Sequence, residues 1–450
     1  MTPIRSDIIV SGAGVAGLAA ALGLAQAGFK VVHLVRPEPG PAGSKAGGRR
    51  AGVAPFDPRV YAISPASRTL LAELGAWEGL QAGRVAPVYD MRVYPKGGLE
   101  AGCPQELHFS AYEAHREALA WIIEQANLLQ ALQHALRHVK VRIVHGEVAG
   151  CEISANGAET LLTMADGQRL RASLVVGADG AGSPLRTLAG IGFDGAAYPQ
   201  HAVVAHLAAE RAHRDAALQW FGEHGVLALL PLPDLSALGV DPATAADRGP
   251  GQPVHHVSMV WSTGPAHAAD LVALGRAGLG EALAPVAGPA VGRLRAVSEP
   301  LSFPLRRYKA TQLVGERFAL VGDAAHVMHP LAGQGLNLGL GDVADLVEVL
   351  SEARAAHKGG GFDPGHSLLL RRYQRRRAEP VAAMLAVTDS LQKLFNPVQG
   401  AGSASSSPSP TSSAYALWPV RAARDLGWRL FASQPALRRQ LIRYATGTLR

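Results

Sequence analysis

The chain has 450 residues, 48% hydrophobic and 18% charged, with 43 Lys and Arg against 36 Asp and Glu for a net charge of +7. That length exceeds what one core holds, so two or three domains are expected, and the composition excludes a disordered chain. Two cysteines exclude a disulfide framework and offer no metal spacing, which suits a reducing cytoplasm; no zinc, helix-turn-helix or RNA-recognition signature accompanies the basic excess, so no nucleic-acid partner is expected.

From the N-terminus, residues 7–36 read as strand, turn, helix and strand. The uncharged stretch Ile8–Phe29 has the length of a membrane span. Its glycines at 12, 14, 17, 23 and 28 and the flanking β-type runs DIIV and KVVHLV argue against one, and no stable membrane insertion is expected. Residues 39–55, rich in Gly, Pro and basic residues, read as a loop. Ser64–Leu80 and Ser110–Leu136 carry apolar residues at helical spacing and are predicted helices. Residues 141–182 read as short strands with turns at Asn156-Gly157 and Asp166-Gly167. Further strands are predicted from about 195 to 305 (ALQWF, VLALLPLP and HHVSMVWST), with a Pro/Gly/Asp-rich loop at 233–253. Phe318–His326 reads as a short buried strand ending in a Gly-Asp turn, and the chain turns helical after residue 334. LRRYQRRRAEP (Leu370–Pro380) is the densest basic stretch and reads as one helical segment. Residues 400–414 are low in complexity and read as a linker, before a last helix LRRQLIRYATGTLR.

Three fragments carry the chemistry. In GAGVAG, Gly12, Gly14 and Gly17 follow a strand and open a helix. Glycines so placed permit a tight turn, close approach of a pyrophosphate and close helix–strand packing, with the helix N-terminus facing the phosphates. A dinucleotide is predicted. The acidic slot at the end of the second strand, which should bind the ribose, falls on Arg36, and Glu38 lies two residues on. Either Glu38 takes the role, or the ribose goes without a carboxylate, or Arg36 meets a 2′-phosphate. The second fragment, LVVGADGAGSPLR, ends a strand in Gly177, Asp179 and Gly180, before Ser183 and Arg186; it also reads as a plain turn with a helix cap at Ser183. The third, VGDAAHVMHPLAGQGLNLGLGD (Val321–Asp342), packs poorly and costs backbone entropy, so its glycines imply positive φ angles or a backbone close to a ligand.

DPRVYAISPASRTLLAELGAWEGL, GADGAGSPLR and GDAAHVMHPLAGQGLNLGL, in that order after the glycine motif, resemble the single-component flavin monooxygenases of the p-hydroxybenzoate hydroxylase superfamily. HPLAGQGLNLGL, RRYQRRR, VTDSLQKLF and RDLGWRLF more narrowly resemble the ubiquinone-biosynthesis hydroxylases. The resemblance covers the chain from residue 7 almost to its end, apart from the loops. It implies an α/β fold: a Rossmann-like FAD-binding domain of p-hydroxybenzoate hydroxylase type, a β-sheet substrate domain and C-terminal helices. The implied boundaries are 1–190 for the first part of the FAD domain, with substrate-side segments inserted at about 75–110, 191–305 for the substrate domain, 306–350 for the Gly-Asp part of the FAD domain and 351–450 for the helical region.

The same resemblance assigns FAD to Gly12, Gly14, Ala16, Gly17, Arg36, Glu38, Arg59, Asp179, Gly180, Gly322, Asp323, Pro330, Gly333, Gln334, Gly335, Leu336 and Asn337. Asp323 would accept from the ribityl hydroxyls, the backbone from Pro330 to Asn337 would lie along the isoalloxazine, and the next helix would point its positive end at the pyrimidine side. Reduced flavin, with NAD(P)H as donor, would form a C4a-hydroperoxide with O2, and a phenol would attack its distal oxygen while the protein excludes water. No Ser-His-Asp triad or metal set is expected. His326 and His329 flank the flavin fragment and read as structural, with His329 the candidate polar neighbour of the reacting ring. Trp220, Phe221, Leu229, Val260 and Trp261 are candidate pocket residues, with ordinary sheet core the alternative for each. An apolar roof without a basic cluster suits a lipid-tailed phenol. The implied protein is cytoplasmic, peripheral to the inner face of the membrane, acts on a polyprenyl phenol and works beside a ubiquinone-biosynthesis complex. Two other readings stand beside it. One is a soluble aromatic-compound hydroxylase. The other is an FAD-binding, non-catalytic member of such a complex, to which Arg36, and Thr446 where relatives usually have Met, are the departures that point. A halogenase is disfavoured, because none of the six tryptophans has another two residues away.

Overall fold

The computed structural model describes residues 3–36, 56–94, 106–234, 254–328, 334–357, 359 and 361–395. The N-terminal part runs β1 (Ile4–Ser11), α1 (Val15–Gln26), β2 (Val31–Val35), β3 (Val60–Ile63), α2 (Pro65–Glu73), β4 (Val85–Val88), β5 (Asp90–Tyr94), β6 (Leu107–Ser110), β7 (Ala120–Glu124), α3 (Gln125–Leu136), β8 (Val141–His145), β9 (Val148–Ile153), β10 (Thr160–Met164), β11 (Arg169–Gly177) and α4 (Pro184–Leu188). There follow β12 (Phe193–Ala209), β13 (Ala216–Gly222), β14 (Gly225–Pro231), β15 (His255–Thr263), α5 (Pro265–Val291), β16 (Leu294–Ala296), β17 (Leu301–Ala310), β18 (Val314–Gly315), β19 (Phe318–Leu320), β20 (His326–Val327), α6 (Gly335–Ala356) and α7 (Ser367–Phe395).

Two compact units divide the chain. The first gathers Met1–Val85, Ile123–Tyr198 and Leu305–Leu385; the second gathers Ala86–Ile122, Pro199–Pro304 and Ala386–Arg450. In the first unit the sheet order is β18-β19-β11-β1-β2-β8, with β1 parallel to β2 and β11, β2 parallel to β8, and β11 parallel to β19. β10 and β9 continue antiparallel from the first half of β11. Ile8, Ile9 and Val10 are completely buried, as the central strand of a parallel sheet covered on both faces requires. α1 is built on Ala and Gly, and this low bulk lets it pack against both α3 and α6. The uncharged stretch is therefore strand and helix of an α/β layer rather than a span.

The second unit holds a sheet ordered β12-β15-β14-β13-β5-β6, with β16 beside β12. The expected strands ALQWF, VLALLPLP and HHVSMVWST are β13, β14 and β15. The helix α5 covers one face of this sheet and was not expected among the strands of residues 195–305. Its sequence hides it: Pro285 and Pro289 lie inside, and Gly275, at φ +57°, breaks the helical run.

A second correction concerns Ser110–Leu136. Only Gln125–Leu136 is helical, and Ala120–Glu124 is the strand β7. Trp121, Ile122 and Ile123 are all buried, a β-type run whose apolar spacing mimics a helix turn. The helix expected over Ser64–Leu80 stops at Glu73; it starts where the Ser64 hydroxyl accepts from the Ser67 N–H, with Pro65 in the first turn. The expected loop 39–55, residues 235–253 of the expected loop 233–253, the linker 400–414, the last helix and Thr446 lie outside the described residues.

Glu124, at the β7–α3 junction, is the acid around which this corner closes. It accepts from Arg84 Nε at 2.7 Å and Nη2 at 2.8 Å, and from the Asp57 N–H at 2.6 Å. Both side chains are buried, so losing one partner strands the other charge. Glu124→Ala is expected to lower the unfolding free energy by about 3–5 kcal/mol, read from urea denaturation.

Candidate functional site

The glycine loop is shaped by contacts that leave no room for a side chain. Gly12 stands at φ +136°, and a Cβ there would lie 2.1 Å from the Ala178 carbonyl oxygen. A Cβ on Gly17 would lie 2.1 Å from the Gly12 carbonyl oxygen. The loop after β1, the turn after β11 and the start of α1 are thus pressed together. Gly14, by contrast, has nothing within 4 Å of its Cβ position and caps α1 without a side-chain acceptor. The first-turn N–H groups of α1 therefore face open space with the positive end of the helix dipole, a ready anion site.

His33 supports this loop from below. It is buried on β2, and its Nε2 donates to the Gly12 carbonyl oxygen at 2.8 Å, which fixes the tautomer. Its Nδ1 is buried without a partner among the described residues. Burial holds the imidazole below its ordinary value, the Gly12 carbonyl partly opposing and His145 adding to the depression. The ring is therefore neutral at pH 7 and resists protonation.

The Gly-Asp turn lies beyond β19, which runs parallel to the end of β11. Gly322 approaches both neighbours closely: a Cβ on it would lie 3.2 Å from Ala16 Cβ, and one on Gly339 would lie 2.9 Å from Gly322 Cα. The turn thus sits between the start of α1 and the second turn of α6. Asp323 is reached by solvent yet stands deep among protein atoms, the mark of a carboxylate that lines a cleft. Burial raises its pKa, while the charges of His326 and Arg59 pull the other way.

Asp342, one helical turn beyond Gly339 on α6, is fully buried. One of its oxygens accepts from the Gly322 N–H at 2.9 Å and from His326 Nε2 at 2.7 Å; the other accepts from Arg377 Nε at 2.7 Å. Burial pushes its pKa up, but His326, Arg377 and the hydrogen bonds outweigh burial and hold it below the usual carboxylate range. Arg377 also donates to Asp345 at 3.0 Å and to the Leu338 carbonyl at 3.0 Å, and Tyr373 donates to the Leu320 carbonyl at 2.7 Å. Other arginines of α7 also pair with α6: Arg372 with Glu352, and Arg376 with Glu348 and Glu352.

The remaining expected residues divide by what holds them. Arg59 is exposed and lies within electrostatic reach of Asp323 and Tyr61. Asn337 accepts from the Ser64 N–H at 2.9 Å and donates to the Ala62 carbonyl at 2.8 Å, tying the start of α6 to the cap of α2. Gln334, Gly335 and Leu336 open α6, which has no side-chain cap. Asp179 accepts from Ser183 Oγ at 2.5 Å and from the Leu185 N–H at 3.2 Å, and Ser183 caps α4, so the plain turn-and-cap geometry is present; Gly180 completes the turn at φ +84°. Arg186 joins this turn to the Gly-Asp turn, donating to the carbonyls of Ala324 at 3.0 Å and Ala181 at 2.9 Å over the Phe193 ring. Arg36 is exposed and pairs with Glu147 at 2.8 Å. Glu38, His329, Pro330 and Gly333 lie outside the described residues.

Trp220, Leu229 and Trp261 are buried in the core between the second unit's sheet and α5, the ordinary sheet core that was the alternative for each. Alternation along the strands places Phe221 and Val260 on the opposite face. That face also carries Ala228 and Leu230, which with Val260 are only half-buried. The sequence hid α5, so it could not say which face α5 would cover.

Residues 100–388 match the family described as FAD binding domain. The chain is 32% identical over 445 residues to the ubiquinone hydroxylase UbiL of Rhodospirillum rubrum, covering 99% of this chain and 90% of that one. It is 35% identical over 457 residues to the 3-demethoxyubiquinol 3-hydroxylase of Escherichia coli, covering 99% and 100%. Among solved structures, p-nitrophenol 4-monooxygenase PnpA of Pseudomonas putida superposes with a TM-score of 0.69 at 18% identity, covering 100% of both chains. Aklavinone-11 hydroxylase, solved with FAD and aklavinone, gives 0.60 at 21% identity, covering 91% of this chain and 73% of that one.

Two outcomes are expected. Asp342→Asn, which weakens the acceptor shared by three buried donors, destabilises the protein by about 3 kcal/mol or more, seen as a lowered urea midpoint. For His33, the unfolded chain takes up a proton below about pH 6.5 that the native ring refuses, so stability rises with pH through that window and falls on acidification. His33→Gln should flatten the slope of unfolding free energy between pH 5 and 6.5 by up to one proton relative to wild type.

Proposed function

Because the chain belongs to the FAD-dependent aromatic monooxygenases, in the branch of the ubiquinone-biosynthesis hydroxylases, we propose that it hydroxylates the ring of a polyprenylated phenol on the route to ubiquinone. The observation that carries this is full-length similarity to two relatives, a ubiquinone hydroxylase and a 3-demethoxyubiquinol 3-hydroxylase, at 32% and 35% identity. The face of the second unit's sheet away from α5 mixes Ala228, Leu230 and Val260 with Gln219, Ser258 and Ser262; the strands β13, β14 and β15 carry no Lys or Arg, which suits a lipid-tailed ring better than a carboxylated one.

When bound, FAD would supply the redox chemistry that splits O2 with electrons from NAD(P)H, one oxygen atom entering the ring and the other leaving as water. The chain's own residues fit such a group: the glycine loop is a cradle that side chains would fill, and Asp323 is a carboxylate at a cleft. In this reading the α1 N-terminus and Gly12–Gly17 take the pyrophosphate, Asp323 accepts from ribityl hydroxyls, and Arg59 offsets the Asp323 charge. The uncapped start of α6 offers positive potential to negative charge on the reduced ring. The protein would meet its substrate at the cytoplasmic face of the membrane; no helix among the described residues is long and apolar enough to cross one.

Asp323→Ala is expected to weaken FAD binding by about 10–100-fold, the worth of a charge-assisted hydrogen bond, measured as flavin retained after dialysis. The function itself is tested by the quinone-lipid profile of a host lacking the gene, where a polyprenyl phenol short of one oxygen should accumulate. Faster turnover of a soluble phenolic acid than of a prenylated phenol by the purified protein would reverse the assignment to the soluble hydroxylase.

A further inference from the structure

The end of the first unit's sheet opposite the glycine loop gathers charge that the monooxygenase does not use. Arg5 lies on β1, Lys30 immediately precedes β2, and Lys140 and Arg142 flank Val141 at the start of β8. The register pairs Ile9 with Val32 and Val32 with Arg142. Since side chains alternate along a strand, the register puts all four cations on one face of the sheet. They line an open cavity of about 340 Å³, with Ser6, whose hydroxyl has no partner among the described residues.

Elsewhere several surface arginines meet carboxylates: Arg36 meets Glu147, Arg92 meets Glu106, Arg171 meets Glu159 and Arg372 meets Glu352. Around this cavity none of the four cations has a carboxylate partner among the described residues. The acid on their face, Asp7, is turned to the Lys30 backbone N–H at 2.8 Å. Arg171, opposite Arg5 on β11, is already paired with Glu159 at 3.3 Å. Four like charges around one cavity repel unless an anion joins them. Two guanidinium forks and two ammonium groups suit phosphoryl oxygens, and the volume falls in the range of small-ligand sites. Between Arg5 and Gly12 the strand rises about 20–25 Å, so this cavity is separate from the glycine loop.

We propose that the cavity of Arg5, Lys30, Lys140 and Arg142 binds a phosphate-bearing anion, either free or presented as the headgroup of an anionic phospholipid. The test uses FAD-loaded protein, so that the glycine loop is occupied. Pyrophosphate binding is measured by calorimetry, and pelleting is measured with phosphatidylcholine vesicles with and without phosphatidic acid. Lys140→Gln/Arg142→Gln is compared with Arg371→Gln/Arg375→Gln, which removes the same charge from exposed positions on α7. The expected result is a loss of at least tenfold in the first variant and none in the second, with flavin content unchanged in both. Loss for pyrophosphate identifies a free anion; loss for phosphatidic acid vesicles alone identifies a headgroup. If the first variant loses its flavin, the exposed Arg5→Gln carries the comparison. Failure of wild type to bind either probe, or an equal loss in both variants, overturns the proposal.

Discussion

A single buried carboxylate holds the flavin unit together. Asp342 has no access to water, and an ionised carboxylate in that position is costly unless every lone pair is used. Here three donors meet it: the backbone of the Gly-Asp turn, His326 beside that turn, and Arg377 from α7. One side chain therefore sets the distance between the turn that carries Asp323 and two helices. Asp323 owes its place at the cleft to this anchor, since Gly322 can only lie against Ala16 and Gly339 if the turn is drawn down onto α6.

The glycines of the two turns were the legible ones. Gly12, Gly17 and Gly339 are forced by backbone contacts and Gly322 by its positive φ, and a forced glycine leaves a mark in the sequence because no other residue fits. The strands β13, β14 and β15 were legible from their β-type runs. The supports were not. His33, Arg186 and Asp342 act through partners distant in the chain, at separations of 21, 138 and 35 residues, and nothing local announces such a bond. Glu124 stayed hidden for a related reason: the apolar spacing of Trp121, Ile122 and Ile123 fits a helix turn as well as a strand, and the pairing that decides between them is tertiary. The broken pattern of α5 cost more, because an unseen helix leaves the two faces of a sheet indistinguishable, and Trp220 and Trp261 then look as available as Phe221.

Arg36 shows how a departure from a motif is absorbed. The position at the end of β2 that should carry an acid carries a cation, yet β8 and β9 bring Glu147 to it at 2.8 Å. The local charge is balanced, and a carboxylate is present at the end of β2 although β2 does not encode it. The end of β2 therefore keeps both signs of charge within one exposed pair.

Arg377 has a consequence for how the protein is made. The glycine loop emerges from the ribosome first, the Gly-Asp turn some 300 residues later, and the guanidinium that completes the Asp342 cluster later still. Until residue 377 is free to fold back, the growing chain holds a half-satisfied carboxylate beneath the Gly-Asp turn, a state that favours openness over closure. Chains that stop short of α7 carry every glycine of the fingerprint but lack the guanidinium that draws the turn down onto α6.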